Sequence, residues 1–289
     1  MRTSRPGWSL LELVLVIGIL GVLIAVLMSV VNKARQAADC NTCLNNLRQL
    51  TQAVHSRDDA HHKLPPYSSM TPQTRIFGGW WIYLMPYAEE NDLYEKIVSS
   101  KGITLPNGNI LMMPAVQQNG IRDARFDLLT CPSDPSANDG SKWVGTSNYL
   151  ANWYVFGNRT QGCYSDPNRF RDIVDGLSKT VLFAEGYSHC NQMVRPALTV
   201  CCSHNFGITP LSLPSDDPSY APNDYTMFQI RPAVRQPGGC DYWRTQTGHA
   251  TMPVALADGS TRFLQADISP SVWKQLLKPA DGGPYAGDW

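Results

Sequence analysis

Eight cysteines are the residues of this sequence whose chemistry is easiest to anticipate, and all of them follow its most apolar segment, residues 8–31. Thiols exported to an oxidising compartment pair as disulfides, and an even number of cysteines is typical of such a chain. Eight cysteines can pair in so many ways that spacing leaves the connectivity open. The disulfide candidates are Cys40, Cys43, Cys131, Cys163, Cys190, Cys201, Cys202 and Cys240.

Metal or redox chemistry is the alternative for some of these thiols. A zinc site needs a second ligand pair at a defined spacing, and a redox pair needs a thioredoxin-like context. The sequence offers neither, and the adjacent His61 and His62 fall at a predicted helix end. We therefore predict disulfides and no metal site or cofactor. The pairs considered are Cys40 with Cys43, His189 with Cys190, and Cys202 with His204.

Three further residues, Glu185, His249 and Asp258, are the candidates for catalysis. The sequence has no nucleophile elbow, no H-E-x-x-H and no phosphate-binding loop. Glu185 ends a predicted strand without an acidic partner at a defined spacing, and turn chemistry alone accounts for Asp258. We therefore predict that the protein is not an enzyme.

Calcium is the one cofactor for which the sequence offers candidate carboxylate ligands. Hard cations take oxygen ligands, which Asp258 or the pair Asp216 and Asp217 would supply. Because no loop has an identifiable ligand spacing, the sequence does not single out a calcium site.

The element that positions everything downstream is the apolar run at residues 8–31, in which Glu12 is the only charged residue. A run of at least 18 apolar residues predicts a membrane-spanning helix, and 24 residues span about 36 Å. A charged residue within such a helix costs about 2.5–3.5 kcal/mol, so Glu12 should have a partner. Basic residues flank both ends of the run, so they do not decide its orientation.

The helix is predicted to continue through residues 32–60, because Leu44, Leu47 and Val54 recur at helical spacing on a polar background. This apolar stripe should pack on a globular domain, residues 61–289. High Gly and Pro contents (22 and 21) and plentiful Trp and Tyr (8 and 12) indicate a loop-rich extracytoplasmic domain. Lys plus Arg equals Asp plus Glu at 24 each, which argues against nucleic-acid binding.

Within that domain, several short segments carry strand or helix signals. Alternation from Tyr149 to Val155 predicts a half-buried strand, and the apolar run at residues 181–184 predicts a central strand. Asp258-Gly259 between two apolar runs predicts a hairpin. The aromatic residues 80–87 predict a short buried helix, and residues 268–277 a closing helix capped by Ser269. These elements predict the α+β class: a long N-terminal helix packed on an antiparallel sheet, with long disulfide-braced loops.

The first residues resemble a known leader. The line Arg5-Pro6-Gly7-Trp8-Ser9-Leu10-Leu11-Glu12 is similar to the leaders of type IV prepilins and type II secretion pseudopilins. The resemblance implies that residues 1–7 are removed by a prepilin peptidase between Gly7 and Trp8, that Trp8 is then N-methylated, and that Glu12 is the assembly glutamate. Trp8 is a large aromatic where that family usually has Phe.

The rest of the chain resembles a pilin-like family known as domain of unknown function 1559. Six motifs carry this resemblance, and they imply a pilin-like fold. In the last motif, eight residues separate His249 from Asp258, where the family pattern has nine. The motifs are the C-x-N-N-L-R-Q run from Cys43, the aromatic segment at residues 80–94, the C-P-S-D-P run from Cys131, the strand motif at residues 145–152, the segment at residues 171–186 that includes Glu185, and His249 with Asp258-Gly259.

Together the two resemblances imply a pseudopilin-like structural subunit of a type II secretion or type IV pilus-like assembly. Its partners would be the prepilin peptidase, other pilin-like subunits and the membrane, with no nucleic acid. It would be a single-pass inner-membrane protein with its C-terminal domain in the periplasm or outside the cell. The alternative is a membrane-tethered protein that binds a glycan, wall component or cargo and does not polymerise.

Overall fold

The fold comprises two compact units, Met1–Asn41 and Thr42–Trp289. In the computed structural model, the described residues are 10–70, 77–99, 103–104, 110–111, 121, 124–137, 145–157, 168–191, 193–198, 207–208, 227–236 and 238–282. Gly7 and Trp8 therefore lie outside the described residues, as do Cys163, Cys201, Cys202, Asp216 and Asp217.

One long helix, α1, runs without interruption from Leu10–His61 and crosses the boundary between the units. It ends where His62 adopts a left-handed φ of 56° and Pro65 and Pro66 follow, because proline cannot continue a helix. The predicted long helix is confirmed.

The rest of the described chain contains four shorter helices and thirteen short strands. The helices are α2 Trp80–Leu84, α3 Asn91–Ser99, α4 Trp153–Phe156 and α5 Pro270–Leu277. The strands are β1 Ser68–Met70, β2 Phe77–Gly79, β3 Ile103–Thr104, β4 Ile110–Leu111, β5 Tyr149–Asn152, β6 Val181–Glu185, β7 His189–Cys190, β8 Met193–Val194, β9 Gly207–Ile208, β10 Gln229–Ile230, β11 Gln246–Thr247, β12 Met252–Leu256 and β13 Thr261–Leu264. Single 3-10 turns occur at Met85–Tyr87, Asp127–Leu129, Phe170–Asp172 and Leu177–Lys179.

The central feature of the second unit is a five-stranded sheet in the order β13-β12-β6-β5-β9. Its pairs are antiparallel except for the β5–β9 pair, which is parallel. Strand β6 lies in the middle, as its continuous apolar run predicts. The hairpin of β12 and β13 is also confirmed, and Gly259 at φ 90° supplies the left-handed conformation that its turn requires.

Both faces of strands β5, β6 and β12 are buried. The buried stripe of α1 forms one core with Tyr149, Phe183 and neighbouring aromatic residues, including Trp80 and Trp81 of the predicted short helix. On the other face, α5 packs Trp273 and its neighbours against alternate strand residues. The predicted cap of α5 is confirmed, since Ser269 Oγ accepts from Val272 N at 3.3 Å.

One strand prediction is wrong in extent and burial. All four residues of β5 are buried, because both faces of the sheet are covered at this strand. The strand ends at Asn152, whose Oδ1 caps α4 by accepting from Tyr154 N at 3.0 Å. The same side chain donates to the carbonyls of Val181 and Leu277, each at 2.7 Å, and thereby ties β5 to β6 and α5.

Two disulfides link described cysteines, Cys43–Cys131 and Cys190–Cys240. The first joins α1 to the loop that precedes β5 and so bridges the helix to the rest of the second unit. Cys40 takes part in neither of these two bridges. The α+β class, with a long N-terminal helix, a largely antiparallel sheet and disulfides, is confirmed.

Candidate functional site

Four buried side chains from distant parts of the second unit meet at one point. They are Cys43 on α1, Cys131 just after the 3-10 turn Asp127–Leu129, Glu185 at the end of β6, and His249 between β11 and β12. One ligand atom from each of them lies within 4.8 Å of the other three. We call these four residues the Cys-Glu-His cluster.

The helix brings Cys43 to the cluster because its buried stripe faces the core of the unit. One turn further along, Asn46 fixes the position of the helix. Its Nδ2 donates to the carbonyl of Thr130 at 3.0 Å and to the hydroxyl of Tyr149 at 3.2 Å. The residue next to Cys131 is thus hydrogen-bonded to the helix that carries Cys43.

Backbone contacts hold Cys131 and His249 beside each other. The Cys131 N–H donates to Asn148 Oδ1 at 3.0 Å. Gly248 packs so closely on the loop after Cys131 that a Cβ atom there would lie 1.9 Å from the Ser133 carbonyl oxygen. Only glycine allows this approach, and it places His249 against the sulfur.

Glu185 is the most buried charged group of the cluster, at 2 % exposure. Its Oε2 accepts from Thr247 Oγ1 at 2.5 Å, while its Oε1 lies 3.4 Å from His249 Nε2 and 3.3 Å from Cys131 Sγ. Burial raises the pKa of the Glu185 carboxyl, and the contacts with His249 and Thr247 oppose that rise. Burial also raises the pKa of Tyr149, which pairs with Glu185 across the sheet, well above its usual value.

A second buried carboxylate, Asp134, supports the same region. Its Oδ1 accepts from the N–H and hydroxyl of Ser136 at 2.8 and 2.6 Å. Its Oδ2 accepts from Asn148 Nδ2 at 2.6 Å and from the N–H and hydroxyl of Ser188 at 2.9 and 2.6 Å. These five donors satisfy the buried charge and hold together the loop after Cys131, the start of β5 and the segment after β6.

The structure brings together two of the three candidate catalytic residues. Glu185 and His249 are neighbours, whereas Asp258 lies exposed in the β12–β13 turn, where it accepts from the N–H and hydroxyl of Ser260 at 2.9 and 2.6 Å. Glu12 lies in the first unit, on the exposed part of α1. Calcium ligation by Asp258 stays a hypothesis, and Asp216 and Asp217 lie outside the described residues.

Sequence reasoning missed the supporting residues Asp134, Asn148 and Thr247. Asp134 and Asn148 stand inside the quoted family motifs, which was the only available signal. The sequence also gave no reason to associate Cys43 and Cys131 with Glu185 and His249. Sulfur, imidazole and carboxylate are the ligand types of zinc sites, so the Cys-Glu-His cluster has the chemistry to hold such an ion.

Two aspartates in the same local Asp-x-Ser turn allow a matched test of the buried hydrogen bonds. We expect Asp134→Ala to lower the free energy of unfolding by about 3–5 kcal/mol, because it leaves buried donors without an acceptor. Asp258→Ala removes an equivalent but exposed turn, and should cost less than about 1.5 kcal/mol. Thermal and urea unfolding of the full chain in detergent measure both, and equal losses would contradict this account.

His189 provides a pH-dependent test. Its side chain is buried, and burial lowers its pKa from the ordinary value of about 6.5. Below that pH the unfolded chain takes up a proton that the folded chain resists, so stability should fall as the pH decreases from about 6.5. In His189→Gln this part of the fall should be absent, as measured by urea unfolding across pH. Parallel pH profiles of the two chains would contradict the prediction.

Comparison with known proteins identifies one family. The model of the family described as "Protein of unknown function (DUF1559)" matches residues 32–271, which include all four residues of the Cys-Glu-His cluster. No curated protein and no solved structure matches the chain. The resemblance seen in the motifs of the globular domain is therefore confirmed, and the chain belongs to the DUF1559 family.

Proposed function

We propose that this protein is a pseudopilin-like structural subunit, anchored in the inner membrane by the first part of α1 and carrying the second unit on the outer side. The observation that carries the proposal is the combination of a prepilin-like leader with an apolar helical segment that contains a single charge, Glu12. The proposal extends to assembly with other pilin-like subunits in a type II secretion or type IV pilus-like machine.

The surface of the apolar segment supports a membrane environment. The large apolar side chains between Leu10 and Val31 are each 38–79 % exposed. Soluble proteins rarely expose continuous apolar surface of that extent. The helix also has the length and composition of a membrane span, and none of its most apolar window is buried. A signal sequence shares these properties, so the N-terminus of the mature chain decides between the two.

Glu12 gives the apolar segment a role beyond anchoring. Processing after Gly7 would leave a free α-amine on Trp8. That amine would be a cation within the membrane. In a filament, Glu12 of one subunit would pair with Trp8 of its neighbour, because a charge buried in lipid is tolerated when it is paired. The pair would align neighbouring helices in register as subunits are added.

We further propose that the second unit has a structural rather than a catalytic role. Glu185 and His249 are 2 % and 7 % exposed, so a substrate has little access to them. Both sulfurs beside them are in a disulfide, which removes the nucleophile that a Cys-His pair would supply. The two described disulfides fit a unit that works in an oxidising compartment.

Intact-mass and N-terminal analysis of the membrane-extracted protein tests the proposal. We expect a chain that begins at N-methylated Trp8, and we expect Gly7→Val to leave the full-length precursor, because the peptidase would no longer accept the bond. Thr3→Ala, which changes the leader outside the region of resemblance, is the matched control and should be processed normally.

An unprocessed chain that begins at Met1 would overturn the pseudopilin proposal and favour a membrane-tethered binding protein. Cleavage after the apolar segment, near residue 31, would instead identify residues 1–31 as a signal sequence. Either result leaves the family membership and the fold unchanged.

A further inference from the structure

Burial of Glu185 and His249 beside a disulfide is energetically unfavourable. A disulfide packs well among apolar side chains and needs no polar partner. Burying a carboxylate and an imidazole costs free energy unless other groups compensate for it. In the Cys-Glu-His cluster both groups direct a ligand atom at Cys131 Sγ, at 3.3 Å for Glu185 Oε1 and 3.6 Å for His249 Nε2.

The separations between these atoms fit a tetrahedral metal site. Zinc lies about 2.3 Å from sulfur and about 2.0–2.2 Å from nitrogen or oxygen, so the edges of its ligand tetrahedron are about 3.3–3.8 Å. The three edges that join Cys131 Sγ, Glu185 Oε1 and His249 Nε2 measure 3.3, 3.4 and 3.6 Å. The fourth ligand atom, Cys43 Sγ, belongs to the same group of atoms.

The surroundings of Glu185 also have the form of a second ligand shell. Thr247 Oγ1 donates to Oε2 at 2.5 Å and leaves Oε1 directed at the sulfur and the imidazole. Outer hydrogen bonds of this kind fix the orientation of metal-binding carboxylates. Four protein ligands in a closed, buried position are typical of a structural zinc site rather than a catalytic one.

From this geometry we propose that Cys43, Cys131, Glu185 and His249 form a zinc-class metal site when the Cys43–Cys131 bond is reduced. A dithiol donor would supply two electrons and two protons, becoming a disulfide itself while both cysteines become thiols. Zn²⁺ would then displace the two thiol protons and bind both thiolates, the carboxylate and the neutral imidazole. The disulfide and the metal site are thus alternative states of the same two sulfurs. This departs from the sequence-based prediction of no metal site and is independent of membrane assembly.

Cysteine protection measured at peptide level tests the proposal. The full chain in detergent is reduced with a phosphine, incubated with or without Zn²⁺, and alkylated before mass-spectrometric mapping. We expect Zn²⁺ to slow alkylation of Cys43 and Cys131 by about tenfold or more, because a metal-bound thiolate is not free to react, and Co²⁺ to give the absorption of a tetrahedral thiolate site. Equal alkylation rates with and without Zn²⁺ in a folded chain would overturn the proposal.

Variants separate the proposed site from other thiols. His249→Asn and Glu185→Gln should each weaken Zn²⁺ binding by about 10–100-fold, measured from the Zn²⁺ concentration that gives half-maximal protection of Cys43 and Cys131. Glu185→Gln keeps the volume and an acceptor for Thr247 while removing a buried charge, so its oxidised form should remain folded. The double variant Cys190→Ser and Cys240→Ser removes the other described disulfide and should retain the protection. If this double variant lost the protection while His249→Asn and Glu185→Gln kept it, the assignment of the metal site to the Cys-Glu-His cluster would be wrong.

Refolding covers the case in which reduction unfolds the chain. Zn²⁺ added to the reduced, unfolded chain should restore a cooperative thermal transition in the wild type but not in His249→Asn. If Zn²⁺ restores neither chain, or restores both equally, the proposal is wrong.

Discussion

The burial of Glu185 at the end of the central strand is the constraint on which the second unit depends. Strand β6 is covered on both faces, so its terminal carboxylate must find its donors inside the protein. Thr247 and His249 supply contacts from the segment before β12, and Cys131 lies against the same oxygen as His249. Through the Cys43–Cys131 bridge, this point also fixes α1 on the sheet. Residues of four separate family motifs thereby meet in the fold, because Cys43, Cys131, Glu185 and His249 occupy one place.

The two parts of α1 have surfaces suited to different environments. From Leu10 to Val31 the helix is apolar on all sides, which suits lipid, whereas further along only one stripe is buried, which suits a protein core. Under the proposed function, the first part would hold the subunit among its neighbours and the second part would hold the globular unit to the first. Membership of the DUF1559 family rests on residues 32–271 and does not depend on the leader.

Local signals predicted the elements that depend on local chemistry. The Asp258-Gly259 turn, the Ser269 cap and the apolar run of β6 each follow from a few adjacent residues, and each is found in the structure. The end of β5 was missed although Asn152, which caps α4 through Oδ1, is a local signal, whereas the burial of all four β5 residues depends on elements that are distant in sequence. The Cys-Glu-His cluster was missed for the same reason: no spacing relates Cys43 to His249 until the sheet order is known. Its ligands come from four segments, so no short motif contains two of them.

The most direct test of the account's central claim, assembly through Glu12, is cross-linking in native membranes. Lys33 lies exposed just beyond the apolar segment, and an amine-reactive cross-linker should join it between neighbouring copies. We predict a ladder of cross-linked oligomers in the wild type and in Ser29→Ala, a control that removes a polar group from the same segment. We predict that Glu12→Gln is inserted and processed but gives no ladder. A ladder of equal intensity in Glu12→Gln, or no ladder in the wild type, would contradict the account.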